Sequence, residues 1–214
     1  MLHAIQDQMD LGVPFFGLAK GTLNFSMNEV DNPKKFLDDL AHDRSKLDNL
    51  TTTAIKVSLK EEDKTTFFGQ AVNEVLLGTT VMGYHHFMIT SEDKSFDDFE
   101  IKGSGICIST DFGTTGYNFN LGSPMLPLAC SLWIVSGVVC NRFLEDILKI
   151  QKIEIKNIST SGPIKVFLDG VEKEQQLQKD QSLILEKGDN VTIAFLNSED
   201  FVRRRIELSS RYRK

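Results

Sequence analysis

Near the start of the chain, apolar residues recur at helical spacing; beyond about Leu50 they recur at every second position. Leu2, Ile5 and Met9 share one face of a 3.6-residue period and predict a short helix. Val13-Pro-Phe-Phe-Gly-Leu18 is a compact apolar run of the kind a buried strand uses. Asp31-Asn32-Pro33 sets a capping side chain ahead of a proline, the start signal of a second helix, and Phe36, Leu37 and Leu40 give that helix an apolar face. Then the period changes to two. Ile55, Val57 and Leu59 alternate with Lys56, Ser58 and Lys60, and the same alternation marks Ile153 and Ile155, Ile164 to Leu168, and Val191 to Phe195. Asp169-Gly170 has the composition of a hairpin turn. The pattern predicts an α+β chain: residues 1–48 are α/β material and residues 49–214 a β-rich, sandwich-like domain. So short an α/β unit cannot build a doubly wound sheet, so either the β domain carries it or an N-terminal part is missing.

Composition narrows the functional classes. A chain of 214 residues, 41% of them hydrophobic, buries a sizeable core without staples. Cys107, Cys130 and Cys140 are an odd set with no disulfide framework, which points to a reducing, cytoplasmic setting; Cys130 and Cys140 lie in apolar runs that suggest burial. A net charge of −6 argues against a nucleic-acid partner, and no apolar run has the length of a membrane span. One stretch is basic: Arg203, Arg204, Arg205, Arg211, Arg213 and Lys214. Its simpler reading is a solvated edge strand guarded by charge, its sharper one a contact to phosphate or an acidic partner. His85-His86 are strand neighbours that diverge, so they read as structural histidines, not metal ligands.

The most unusual segment runs from Gly103 to Pro124, with glycines at 103, 105, 113, 116 and 122 among hydroxyl residues and Tyr117. Glycines let a backbone approach a ligand, and hydroxyls offer adaptable hydrogen bonds. No Lys-Ser/Thr follows, so this is no Walker loop, and the Rossmann spacing is also missing. A turn-rich connection between strands fits the composition equally well.

The order of residues separates these readings. Ser109-Thr-Asp-Phe-Gly-Thr-Thr-Gly-Tyr117 followed by Leu121-Gly-Ser-Pro124 resembles the NAD kinase signature Ser-Thr-Pro-Thr-Gly-Ser-Thr-Ala-Tyr and Ala-Gly-Gly-Pro. Ala71-Val-Asn-Glu-Val75 is similar to that family's Ala-Leu-Asn-Glu-Val, and Gly103-Ser-Gly105 stands where the family has Gly-Asp-Gly. Val13 to Phe25 resembles Ile-Pro-Val-Leu-Gly-Ile-Asn-x-Gly-x-Leu-Gly-Phe, and Val166-Phe-Leu-Asp-Gly170 matches the strand-Asp-Gly element. The blocks occur in the family's order across essentially the whole chain.

The resemblance implies phosphoryl transfer from ATP or polyphosphate to the 2′-hydroxyl of the adenosine ribose of NAD, giving NADP, with this chain supplying mainly the NAD-binding part. It implies that Asn73 and Glu74 hold the ribose hydroxyls, that Thr115, Gly116 and Tyr117 frame the adenine with Asn120 one turn further, that Phe25 offers an apolar wall, and that Asp169 touches the dinucleotide. It further implies Mg²⁺ with ATP, bound largely outside this chain, and a homodimer or homotetramer packing near residues 122–135. The family's Gly-Gly-Asp-Gly-Thr loop, whose aspartate activates the acceptor hydroxyl, is expected immediately before Met1, so no catalytic residue is expected within the chain. Four departures stand out: Ser104 replaces an aspartate aimed at the nicotinamide, Asp111 a proline, Phe112 a small hydroxyl residue and Asn24 a glycine. A non-catalytic NAD or NADP sensor, or a lipid kinase of the diacylglycerol or sphingosine type, are the alternatives.

Overall fold

The computed structural model describes residues 1–20, 27–42, 46–78, 83–91, 98–140, 145–148 and 152–212. Helix α1 (Leu2–Gln8) buries Ile5, as its periodicity demands. It runs into one 3-10 turn at Met9–Leu11 and stops at Gly12, whose φ of 63° is the left-handed cap glycine tolerates best. Helix α2 (Pro33–Ala41) starts where its signals lie: the Asn32 side chain accepts the Lys35 amide at 3.0 Å, with Pro33 in the first turn. Phe36 buries itself by stacking on Phe16 at 4.9 Å.

The apolar run at 13–18 is not a strand. Only isolated bridges form, Phe15 to Ile193 and Leu18 to Asn28. Pro14 has no amide to give a ladder, and Phe15 packs against a core without one.

The remaining elements are mostly strands: β1 (Asp48–Glu61), β2 (Lys64–Ala71), β3 (Glu74–Gly78), β4 (His85–Ser91), β5 (Phe99–Thr110), β6 (Trp133–Cys140), β7 (Glu145–Leu148), β8 (Lys152–Asn157), β9 (Lys165–Leu168), β10 (Val171–Glu172) and β11 (Ser182–Phe195). They pair antiparallel in the order β10-β9-β3-β5-β4-β8-β11-β1-β2, with β6 on β5 and β7 on β6. The sheet curls into a half-barrel whose ends approach: a methyl group on Gly69 of β2 would lie 2.7 Å from Leu168 Cδ1 of β9. Alternation lines the concave side with Ile55, Val57, Val75, Leu77, Phe87, Ile106 and Ile108, each contributing about 1.5–3 kcal/mol by burial. The β9–β10 turn places Asp169 and Gly170 at φ 51° and 82°, the primed geometry that an Asp-Gly pair suits.

Two more helices finish the α+β fold: the single turn α3 (Tyr117–Asn120) and the longer α4 (Ser198–Tyr212). Here the C-terminal basic run, as far as it is described, departs from expectation, because up to Tyr212 it is helical and not an edge strand. Asn197 accepts the Asp200 amide at 3.0 Å, and Glu199 and Asp200 occupy the positive end of the helix dipole. Phe201 and Arg205, four apart, turn inward together, while Arg203 pairs with Asp200 in solvent. Phe201 stacks on Phe195 at 4.1 Å in a second core that also holds Ile5, Met9, Val72, Phe112 and Val191. This core ties α1, α4 and the β11 end together behind the segment that follows β5.

Candidate functional site

The glycine-rich segment divides at Thr110. Its first half is the outer part of β5, and only residues 111–132 form a loop. That loop folds back over the point where the chain bends from β2 into β3, and glycine makes the approach possible. A methyl group on Gly113 would fall 2.0 Å from the Asn73 carbonyl oxygen, and one on Gly116 would fall 2.7 Å from Glu74 Oε2. The Asn73 carbonyl accepts the Thr110 amide at 2.9 Å, and Thr110 Oγ1 donates to the Val72 carbonyl at 2.6 Å. The bend and the loop are therefore one rigid unit.

Asp169 holds the bend from the other side. Its Oδ1 accepts the Asn73 amide at 2.7 Å and the Glu74 amide at 3.1 Å, while Oδ2 accepts the Val72 amide at 2.8 Å and Gln6 Nε2 at 2.9 Å. Three successive amides around one carboxylate make an anion nest, and α1 supplies the fourth donor. Burial still pushes the Asp169 carboxyl up from its ordinary value, against the pull of those bonds. With all four donors engaged, Asp169 positions Asn73 and Glu74.

Glu74 is 8% exposed and pairs in register with Ser109. The Tyr117 amide donates to its carboxylate, yet Oε2 has no hydrogen-bond partner among the described residues. Burial first, and then the charge of Asp169, raise its pKa from 4.5 to about 7. Asn73 Oδ1 is likewise buried without a partner. Two unpaired acceptors on adjacent residues suit a ligand presenting two hydroxyl groups, since an unpaired buried polar group carries a desolvation penalty of about 1–3 kcal/mol.

The other expected residues divide. Thr115, Gly116 and Tyr117 lie beside Glu74 on the loop, with Tyr117 40% exposed at the surface. Asn120 does not reach inward: it is exposed, and Asn118, two residues earlier on the same turn, is the buried one, with both amide atoms unpaired among the described residues. A single helical turn sends positions 118 and 120 to different sides, a signal the sequence held. Ser104 sits on β5 five positions from Ser109 and on the opposite face, so this chain does not bring it to Glu74. Phe25 and Asn24 lie outside the described residues. Trp133 is a core residue, 2% exposed at the start of β6; within 124–132 it is Pro127, Ala129 and Ser131 that are exposed.

The departures at Asp111 and Phe112 have a structural use that the sequence reading missed. The Asp111 carboxylate accepts Thr52 Oγ1 at 2.6 Å and the Cys130 amide at 2.9 Å, and Phe112 fills the second core. Cys107 is buried, whereas Cys130 and Cys140 are only half-buried. His85 is buried against Phe87, and His86 bonds Glu100 at 2.6 Å, two separate environments. Among the described residues no group of three or more His, Cys, Asp and Glu side chains is placed to hold a metal ion, and no helix is long and apolar enough to cross a membrane.

No family model matches the chain. A Rickettsia typhi NAD kinase is 28% identical over 141 residues, 64% of this chain and 52% of that protein. A Helicobacter pylori NAD kinase is 25% identical over 206 residues, 95% of this chain and 69% of that protein. The chain thus spans about half the length of the first of these relatives. In fold it is similar to a yeast NADH kinase complexed with NADH, TM-score 0.74 at 19% identity over 86% of this chain and 55% of that one. It is also similar to an Archaeoglobus fulgidus NAD kinase in complex with ATP, TM-score 0.67 at 18% identity over 92% and 74%. Motif order, sequence relationship and fold agree in making this chain similar to the NAD kinases.

Proposed function

We propose that this chain holds NAD for phosphorylation of its adenosine-ribose 2′-hydroxyl by ATP. The observation that carries the reading is the pair of unpaired acceptors, Glu74 Oε2 and Asn73 Oδ1, fixed by Asp169 beneath the Thr115–Tyr117 loop. The vicinal hydroxyls of a ribose donate to such a pair, and Tyr117 offers a ring to the attached adenine. Phosphoryl transfer depends mostly on positioning: the 2′-oxygen bonds to the γ-phosphorus, the bond to ADP breaks and the hydroxyl proton leaves to a base. Glu74 is assigned to orienting the diol. The base is assigned, on the family resemblance, to the aspartate of a Gly-Gly-Asp-Gly-Thr loop, which the sequence given does not contain. Mg²⁺ belongs with the ATP phosphates in this reading, and no described residue is assigned to it. The relatives named NAD kinase, and the complexes of neighbouring folds with NADH and ATP, support these ligand classes.

The test is NADP formation from NAD, ATP and Mg²⁺ by the 214-residue chain, alone and fused behind the Gly-Gly-Asp-Gly-Thr loop of a relative. Loss of a general base lowers rate by about 10²–10⁴. The fused chain should form NADP at least a hundredfold faster. Equal rates would move the base into the chain, and no NADP in either case would remove the kinase reading.

A further inference from the structure

Arg205 is 4% exposed, although it sits in the most basic stretch of the chain. Its Nη2 donates to the Asp111 carbonyl at 2.9 Å and is shared with Thr114 Oγ1 at 3.1 Å and the Leu126 carbonyl at 3.4 Å; Nη1 donates to the Phe112 carbonyl at 3.3 Å. The guanidinium lies 5.8 Å from the centre of the Phe201 ring, on the same face of α4. Burial pulls its pKa down to about 10, against the opposing charge of Asp111, so it is a cation at neutral pH. A desolvated cation is retained only where several acceptors are aimed at it. Here those acceptors are the backbone of the loop itself.

The loop gives that anchoring a consequence. Thr114 Oγ1 donates to the Asp111 carbonyl at 2.8 Å and accepts the Leu126 amide at 3.2 Å, so Arg205 joins both limbs of the loop at one point. The next residues are Thr115, Gly116 and Tyr117, whose backbone touches Glu74. With Gly113 and Gly116 already at contact distance from Asn73 and Glu74, a shift of a few tenths of an ångström in the loop changes both partners.

We infer that Arg205 is a positioning residue for the dinucleotide site: from α4 it fixes the loop that covers Asn73 and Glu74, so the C-terminal helix sets dinucleotide affinity. The part concerning affinity rests on the proposed function; the part concerning loop position does not. Arg205→Met keeps the stem and removes the donors, and Arg205→Lys keeps the charge without the fork. Ile153→Ala, in the other core and away from the loop, controls for general destabilisation.

Hydrogen exchange by NMR is read at the Gly116 amide, bonded to the Gly113 carbonyl at 2.8 Å, and at the Tyr117 amide, together with NAD affinity by calorimetry on the full chain. Arg205→Met should speed exchange at both amides at least tenfold, leave β4 and β8 amides no faster than Ile153→Ala does, and weaken NAD binding at least tenfold. Arg205→Lys should fall between it and wild type, and it carries the measurement if Arg205→Met does not fold. Exchange within twofold of wild type at both amides, or equal acceleration in Ile153→Ala, overturns the positioning role. Faster exchange in a chain that binds no NAD before mutation would refute the functional reading and leave Arg205 as the anchor of the loop.

Discussion

Glu74→Gln separates what the site does for stability from what it does for a ligand. The wild-type carboxyl has its pKa raised from 4.5 to about 7, first by burial and then by Asp169. Below 4.5 the group is protonated in both folded and unfolded chains. Between 4.5 and about 7 the folded chain holds a proton that the unfolded chain has released, so stability falls as pH rises through that window. At about 1.4 kcal/mol per decade, the interval corresponds to roughly 3 kcal/mol, an upper value because the site relaxes when it ionises. Glutamine keeps an acceptor for the Tyr117 amide and never ionises. Melting of wild type and Glu74→Gln across pH 4 to 8 should therefore give curves that coincide at the acid end and diverge above it. At pH 8 the variant should melt higher by roughly 6–12 °C, at about 2–4 °C per kcal/mol for a chain of this size. The same substitution removes a charged acceptor worth about 1.5–3 kcal/mol, so NAD affinity should fall about ten- to a hundredfold. Parallel melting curves over the whole range would refute the assigned protonation, and unchanged NAD affinity would refute the ribose contact.

Asp169→Ala strips the acceptor from three successive amides, and denaturant titration should show a loss of at least about 3 kcal/mol, with Asp169→Asn milder because one acceptor remains. Gly113→Ala drives a methyl group to 2.0 Å from the Asn73 carbonyl and should lower thermal stability by at least about 2 kcal/mol or prevent folding; an unchanged melting temperature would show that the loop does not seat there. Homo-oligomerisation through residues 122–135 predicts a dimer or larger species in sedimentation at micromolar concentration. Because Trp133 is buried, Ala129→Glu is the surface probe; a monomer at every concentration removes the assembly proposal.

The elements whose neighbours are water on one side and core on the other were legible from spacing. Ile55, Val57 and Leu59 alternate because β1 has a wet and a dry face, and Asn32-Pro33 and Asp169-Gly170 mark a helix start and a turn by backbone chemistry alone. The run at 13–18 failed that test because apolar content does not distinguish a ladder from a packed extended loop, and Pro14 denies a ladder an amide. The basic C-terminus misled because charge usually signals solvent, while Arg205 is solvated by carbonyl groups from 79 to 94 residues earlier in the chain. At the site, motif order brought Asn73, Glu74 and Tyr117 together, but the turn of helix that buries Asn118 and exposes Asn120 is a matter of phase. The holding role of Asp169 is a long-range contact that no local pattern encodes.

The most direct test of the central claim compares NAD with its analogue lacking the 2′-hydroxyl on the adenosine ribose, each titrated calorimetrically into the 214-residue chain. If Asn73 and Glu74 hold that diol, NAD binds and the deoxy analogue binds at least tenfold more weakly, since a lost hydrogen bond leaves a buried acceptor unpaired at about 1–3 kcal/mol. Equal affinity for the two dinucleotides, or binding of neither, would contradict it.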